Sequence, residues 1–200
     1  MSKLAIVIPV FKKKYFAETM DCFVRQTNKD FHIYIGDDHS NDNFNDLIQF
    51  YHDKLPVTYT RFENNIGAKN IVKQWERCIN LINDEEWIWL FSDDDLVDPD
   101  AVEAFWNILK ETGGSKDIYS FNTCVINKNG EIRAKAPEVP PFETSEDMAY
   151  HLLLGKRANC MPDHVFSRNV YEKNNGFVKT VYGQGADWAN SILFSGEKGA

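Results

Sequence analysis

Apolar and polar positions in the first half of the chain switch repeatedly between two periods. Leu4-Ala5-Ile6-Val7-Ile8 is a continuous apolar run rich in branched residues, the pattern of a strand covered on both faces. Over residues 15–26 the period changes, and Phe16, Met20, Phe23 and Val24 recur on one helical face. The exchange then repeats. Residues 31–35 read as a second strand, 44–52 as a helix, 57–62 as a third strand, a segment through Trp75 to Ile82 as a helix, and 87–91 as a fourth strand. Pro99 suits the first turn of a further helix, with Asp98 as its cap. This alternation predicts an α/β fold with a mainly parallel central sheet flanked by helices. Ligands of such sheets bind beyond the carboxyl ends of the strands. The acidic segments after strands two and four fall at that edge, although they are far apart in sequence.

The second half predicts a small antiparallel and helical part. Residues 118–126 read as a strand, and Asn129-Gly130 is a hairpin turn leading to residues 132–134. Pro137, Pro140 and Pro141 mark irregular backbone, residues 145–154 a helix, Asn174-Asn175-Gly176-Phe177 a turn, and residues 186–194 a last helix. The 200 residues fit a single domain without internal repeats.

Charge and cysteines narrow the function classes. A net charge of −8 gives no overall attraction to a phosphate backbone, so nucleic acid is not an expected partner. Cys22, Cys78, Cys124 and Cys160 are scattered, with no CxxC pair. They are expected to be free core thiols in a reducing, cytoplasmic protein. Residues 1–30 show no secretory leader, and no apolar run approaches the ~20 residues of a membrane helix.

The chemistry centres on Asp93-Asp94-Asp95, directly after the apolar Trp87-Ile88-Trp89-Leu90-Phe91. Three adjacent carboxylates at a strand end need solvation, capping or a cation. A hard cation, Mn2+ or Mg2+, takes carboxylate and phosphate oxygens with few protein ligands. One or two of these aspartates would hold it, and a diphosphate would complete its shell. A solvated turn is the plainer alternative, and position at the strand end favours the site. Asp37-Asp38-His39-Ser40-Asn41-Asp42 is the second cluster, able to meet a base edge or ribose, or simply to form an Asx turn. In the third, Asn65-Ile66-Gly67 with Lys69-Asn70, Gly67 is expected to supply a positive φ and Lys69 to reach phosphate, against a plain solvated helix face. Lys12-Lys13-Lys14 has the same two readings. Asp187, in Gly185-Ala186-Asp187-Trp188, is either a helix cap or a general base, and His164 is expected to be structural.

The ordered set of motifs resembles the family 2 glycosyltransferases, which have the GT-A fold. The matching stretches are Ile6-Val7-Ile8-Pro9-Val10-Phe11, Gln26-Thr27, the segment from Gly36 to Asp42, Asn65-Ile66-Gly67, Ser92-Asp93-Asp94-Asp95 with Pro99, Asn175-Gly176-Phe177, and Ala186-Asp187-Trp188. The resemblance implies that Pro9 and Phe11 contact the nucleobase, Asp38 hydrogen-bonds it, and Asp93 faces the ribose. Asp94 or Asp95 would carry the metal, and Asp187 would be the general base of an inverting transfer. Residues 1–112 would then form the nucleotide-binding half and 113–200 the acceptor-side half. His39 stands where the family commonly has glycine, and histidine tolerates the left-handed turn. Ser92 occupies the first position of the family's acid motif in one alignment, while a shifted alignment pairs Asp93 with Asp95. The implied partners are a nucleotide-sugar donor, with a UDP-sugar expected, and a saccharide or lipid-linked acceptor in surface polysaccharide synthesis. Many family members continue past the equivalent of Asp187, so the resemblance also allows a longer protein that associates peripherally with a membrane at its inner face. A nucleotidyltransferase would want a glycine-rich loop where Val10-Phe11-Lys12 stands, and a non-catalytic binding module would not need Asp94 or Asp187.

Overall fold

A computed structural model describes residues 3–200 of the chain. The first half alternates strictly: β1 (Leu4–Val10), α1 (Phe16–Val24), β2 (His32–Asp37), α2 (Asn45–His52), β3 (Val57–Arg61), α3 (Ile71–Ile79), β4 (Trp87–Leu90) and α4 (Ala101–Glu111). The second half comprises β5 (Ile118–Ser120), β6 (Cys124–Ile126), β7 (Ile132–Lys135), α5 (Ser145–Leu153), β8 (His164–Ser167), α6 (Arg168–Lys173) and α7 (Ala186–Ser195).

The main sheet has six strands in the order β3-β2-β1-β4-β8-β5. β1 pairs in parallel with β2 and with β4, and β2 pairs in parallel with β3. β8 runs antiparallel between β4 and β5. β1 is apolar throughout because it is covered on both faces. Leu4, Ile6 and Ile8 pack in one core with Phe16, Phe23 and Phe105, while Ala5 and Val7 pack in a second with Val72, Phe166 and Phe194. Strand order reverses where β1 has β2 on one side and β4 on the other, and a crevice opens at the carboxyl ends of such a pair. The topology therefore puts the ends of β1, β2 and β4 at the candidate site.

The second half departs from expectation at three places. The strand expected over residues 118–126 is two strands in two sheets. The Phe121 amide donates to the Asp163 carbonyl at 2.8 Å, and Asn122 accepts from the Val139 amide at 2.7 Å, so the chain turns out of the main sheet. Beyond that point β6 pairs with β7 in an exposed hairpin closed at Asn127–Gly130. The second departure is β8 and α6, two elements that the polar motif around His164 does not suggest. The third is the start of α4, where Asp100 is the N-cap and Pro99 precedes it. Asp98 contributes its carbonyl to Ala101 rather than a side-chain cap.

Gln26 has the capping role instead. Its Oε1 accepts from the Val102 amide at 3.0 Å, and its Nε2 donates to the Asp98 carbonyl at 2.7 Å. The Thr27 amide donates to the Pro99 carbonyl at 2.7 Å. The Gln26-Thr27 pair thus braces the segment that leaves the acidic loop. Cys22 and Cys78 are buried, whereas Cys124 and Cys160 are exposed, so only two of the four thiols are core residues. No helix among the described residues is long and apolar enough to cross a membrane.

Candidate active site

The loop after β4 is held by its backbone and by one carboxylate, that of Asp93. Asp93 Oδ2 accepts from the Phe11 amide at 3.1 Å and the Lys12 amide at 3.4 Å. Thr19 donates its hydroxyl to the Asp95 carbonyl at 2.9 Å. Asp93 therefore ties the end of β4 to the end of β1. Burial raises its pKa, partly offset by those two amides. Asp94 and Asp95 keep exposed surface. The Asp95 pKa is also raised, by desolvation first, against a hydrogen bond from Ser92.

The end of β1 is tied equally to the loop after β2. Ser40 donates its hydroxyl to the Phe11 carbonyl at 2.5 Å, and the Lys13 amide donates to Asp42 at 2.7 Å. Phe11 is 43% exposed, so its ring is available to a ligand although its backbone is fixed on both sides. Phe11, Lys12, Lys14, Tyr15, Asp93 and Asp94 line one cleft of about 410 Å³. Pro9 stands two residues earlier, partly buried within β1.

Asp37 and Asp38 divide the work of the β2 loop. Asp37 is fully buried and accepts from Arg61 Nη1 at 2.8 Å, the Tyr59 hydroxyl at 2.6 Å and the Ser40 amide at 2.7 Å. Asp38 accepts from the Ile66 and Gly67 amides, both at 2.8 Å, and pairs with Arg77. A carboxylate offers about four acceptor positions, of which three are taken here. His39 has φ 56°, as the turn requires, with its Nδ1 3.1 Å from the Phe62 carbonyl oxygen. Gly67 does not have a positive φ. Its glycine is needed for space, because a Cβ there would lie 2.5 Å from Asp38 Oδ2. Lys69 is exposed just before α3, and neither it nor Asp38 lines the cleft at Asp93.

The second half brings up its own acids. Asp187 lies in the first turn of α7, after Gly185 in a left-handed conformation. Burial raises its pKa, partly offset by the amides of Trp188 and Asp187 itself. Cys160 and Asp163 form a turn in which Asp163 accepts from both the Cys160 amide and its thiol at 2.9 Å. Cys160 is exposed as a residue, but its thiol is partly buried on Asp163 and is pushed far up, first by that desolvation, then by Asp163, and also by the charges of Asp95 and Asp187. Asp95 and Asp187, 92 residues apart in sequence, thus act on one sulfur. Sequence reasoning did not single out Cys160 or Asp163 as part of this cluster, since neither stands in a recognisable motif. His164 is fully buried between Ser120 at 2.9 Å and Asn159 at 2.7 Å, with its pKa lowered to about 3 by burial and by Arg157. That is a structural histidine, as expected.

Among the described residues no three His, Cys, Asp or Glu side chains converge as a metal cage. The donor set still fits a hard cation. Asp94 lines the open cleft and the neighbouring Asp95 is exposed beside it, and magnesium-type sites use one or two carboxylates with substrate phosphates.

Comparison with known proteins agrees with this fold. The family model for glycosyl transferase family 2 matches residues 5–173, which includes every β1, β2 and β4 motif and stops short of Asp187. S. aureus TarS 1-349 in complex with UDP superposes with a TM-score of 0.76 at 17% identity, covering 96% of this chain and 55% of that one. S. aureus TarS 1-349 in complex with UDP-GlcNAc gives 0.74 at 17% identity, over 98% and 54%. Mannosyltransferase PcManGT from Pyrobaculum calidifontis, in complex with GDP-Man and Mn2+, gives 0.61 at 16% identity, over 95% and 50%. The chain therefore spans about half the length of these solved structures. No curated protein matches it.

Proposed function

The chain belongs to glycosyl transferase family 2, and on that premise we propose that it transfers a sugar from a nucleotide-sugar donor, with inversion, to a saccharide or lipid-linked acceptor. The observation that carries this reading is the Phe11–Asp93 hydrogen bond, which closes the ends of β1 and β4 around one cleft. Two carboxylates and an exposed aromatic ring face the same space there.

The roles follow from what each side chain still has free. Phe11 offers a ring face to the base, and Pro9 shapes the strand beneath it. Asp38 holds Ile66 and Gly67, and its one remaining acceptor position suits a base N–H. Asp93, fixed by two amides, stands toward the ribose. Lys69, exposed and without an ion pair among the described residues, can reach phosphate. Asp94 and Asp95 would hold Mn2+ or Mg2+, which when bound supplies positive charge to the leaving diphosphate. Asp187 takes the proton from the acceptor hydroxyl. The donors bound by the structural neighbours, UDP, UDP-GlcNAc and GDP-Man, are the first to test. Surface polysaccharide synthesis at the inner face of the membrane is the setting this reaction suits.

The test is release of nucleoside diphosphate from a panel of UDP- and GDP-sugars, with and without Mn2+, followed by anomeric analysis of any product. Donor-dependent release with inverted product supports the reading. A protein that binds donor but never turns over with any acceptor, or gives retained product, argues for the binding-module alternative or a different mechanism.

A further inference from the structure

Three consecutive lysines follow Phe11, and the fold treats them differently. Lys12 and Lys14 line the cleft together with Phe11, Tyr15, Asp93 and Asp94, whereas Lys13 does not. The backbone beneath them is fixed from two sides. Asp93 accepts the Phe11 and Lys12 amides, Asp42 accepts the Lys13 amide, and Ser40 donates to the Phe11 carbonyl. Both cleft lysines therefore project from an anchored segment.

Neither Lys12 nor Lys14 forms an ion pair with a carboxylate among the described residues, although Asp93 and Asp94 line the same cleft. Lys14 Nζ instead lies 4.5 Å from the centroid of the Tyr15 ring. The cleft thus offers two cations with no carboxylate ion pair among the described residues, two carboxylates and two exposed aromatic rings, Phe11 at 43% and Tyr15 at 36%. A ligand that matches all three has a planar ring, hydroxyls and a cluster of negative charge. A nucleoside diphosphate is such a ligand. The chain as a whole carries −8, so its overall field opposes an incoming diphosphate. Local cations at the cleft are what would reverse that field at short range.

We infer that Lys12 and Lys14 hold the diphosphate of the donor, and that Lys13 between them takes no part. This rests on the donor-site reading above and adds to Lys69 two further cations of the chain itself, which line the cleft at Asp93. Lysine suits the role because a compact ammonium on a flexible stem can follow a phosphate as it becomes a leaving group.

The experiment measures uridine, UMP and UDP binding in EDTA, with the guanosine series in parallel. Calorimetry serves for the nucleotides and ligand-observed NMR for the nucleosides. The proteins are wild type, Lys13→Ala, the double variant Lys12→Ala/Lys14→Ala, and its counterpart Lys12→Arg/Lys14→Arg. The double alanine variant should lose roughly tenfold or more in diphosphate affinity, with nucleoside binding unchanged. Lys13→Ala should bind as wild type, and the arginine variant should retain most of the affinity. Diphosphate binding by wild type should weaken steeply with added KCl, and that slope should flatten in the double alanine variant. Equal diphosphate affinity in wild type and the double alanine variant would overturn the assignment. An equal loss for nucleoside and diphosphate would also overturn it, since that marks a reshaped cleft. If wild type binds neither UDP nor GDP, even with Mn2+, the donor-site reading falls and this inference with it.

Discussion

The Gly67 amide donates to Asp38 Oδ2 at 2.8 Å, and a methyl group on Gly67 would lie 2.5 Å from that same oxygen. Residue 67 is thus a place where backbone closes directly onto a carboxylate. Gly67→Ala should push Asp38 and the residue 63–67 loop apart, at a cost of about 1–3 kcal/mol in stability, the usual scale for overpacking. Urea denaturation with parallel calorimetry should show both lower stability and weaker diphosphate binding. Wild-type values for both would mean that the loop relaxes freely and does not shape the site.

Asp38→Ala is expected to act on the fold as well as on the ligand. It leaves the Ile66 and Gly67 amides without an acceptor, while Arg77 keeps Gln74 and the Asn64 carbonyl, and each orphaned amide costs about 1–3 kcal/mol if it stays buried. Weaker nucleotide binding together with a lowered denaturation midpoint is the expected pair of results. A stable variant with normal affinity would reduce Asp38 to a turn former.

The metal role is testable without turnover. A diphosphate beside Asp93, Asp94 and Asp95 is repelled unless cations intervene. Mn2+ should therefore strengthen UDP or GDP binding in wild type, and the gain should vanish in Asp94→Asn, Asp95→Asn or both. Equal affinity with and without Mn2+ in wild type would remove the metal from donor binding and leave Lys12 and Lys14 as its main counter-charge.

His164 predicts a stability slope of definite sign. Its folded pKa is lowered to about 3, whereas an unfolded histidine titrates near 6.5. Between those values the unfolded chain takes a proton that the folded one refuses. Stability from this residue is therefore complete above about pH 6.5 and declines as pH falls toward 3. Denaturation at pH 7 and pH 5 should show a smaller acid loss in His164→Gln than in wild type. The comparison matters because Asp93, Asp95, Asp163 and Asp187 have raised pKa values and act in the opposite direction. Equal slopes in the two proteins would show that His164 titrates freely.

The parts of this fold that sequence reveals are those where periodicity and burial agree. β1 is apolar at every core position, and α1 shows Phe16, Met20 and Phe23 on one face, so the parallel half is readable residue by residue. The acidic loops were legible because acids at strand ends break that pattern abruptly. Three things were hidden. The split of residues 118–126 depends on Phe121 and Asn122 bonding to partners 42 and 17 residues away, at Asp163 and Val139. β8 is four residues long, too short for a period. Gly67 looked like a turn glycine, and only the position of Asp38 shows that space is what it supplies.

Asp187 is the residue on which the chemical reading turns. A sugar hydroxyl is a weak nucleophile that must lose its proton as it attacks, and a positioned carboxylate can accept it. Direct displacement further requires the base to stand on the acceptor side of the donor sugar, away from the leaving diphosphate. Asp187 comes from α7, whereas the diphosphate-side acids come from the β4 loop, and Cys160 feels the charge of both Asp187 and Asp95. Burial raises the Asp187 pKa above its ordinary carboxylate value, partly offset by the amides of Trp188 and Asp187 itself, which makes it a stronger base. Transfer should accordingly decline as pH falls through that raised value, because the protonated acid cannot accept the hydroxyl proton. Asp187→Asn keeps the size and a hydrogen bond but cannot take a proton. It should bind donor nearly as wild type, lose roughly 100-fold or more in transfer rate, and lose the acid limb of the pH profile. Donor binding by calorimetry and transfer by nucleoside diphosphate release separate the two effects. Near wild-type transfer by Asp187→Asn, with its acid limb intact, would return Asp187 to the first turn of α7 as a capping residue and leave the base to be sought elsewhere in the cleft.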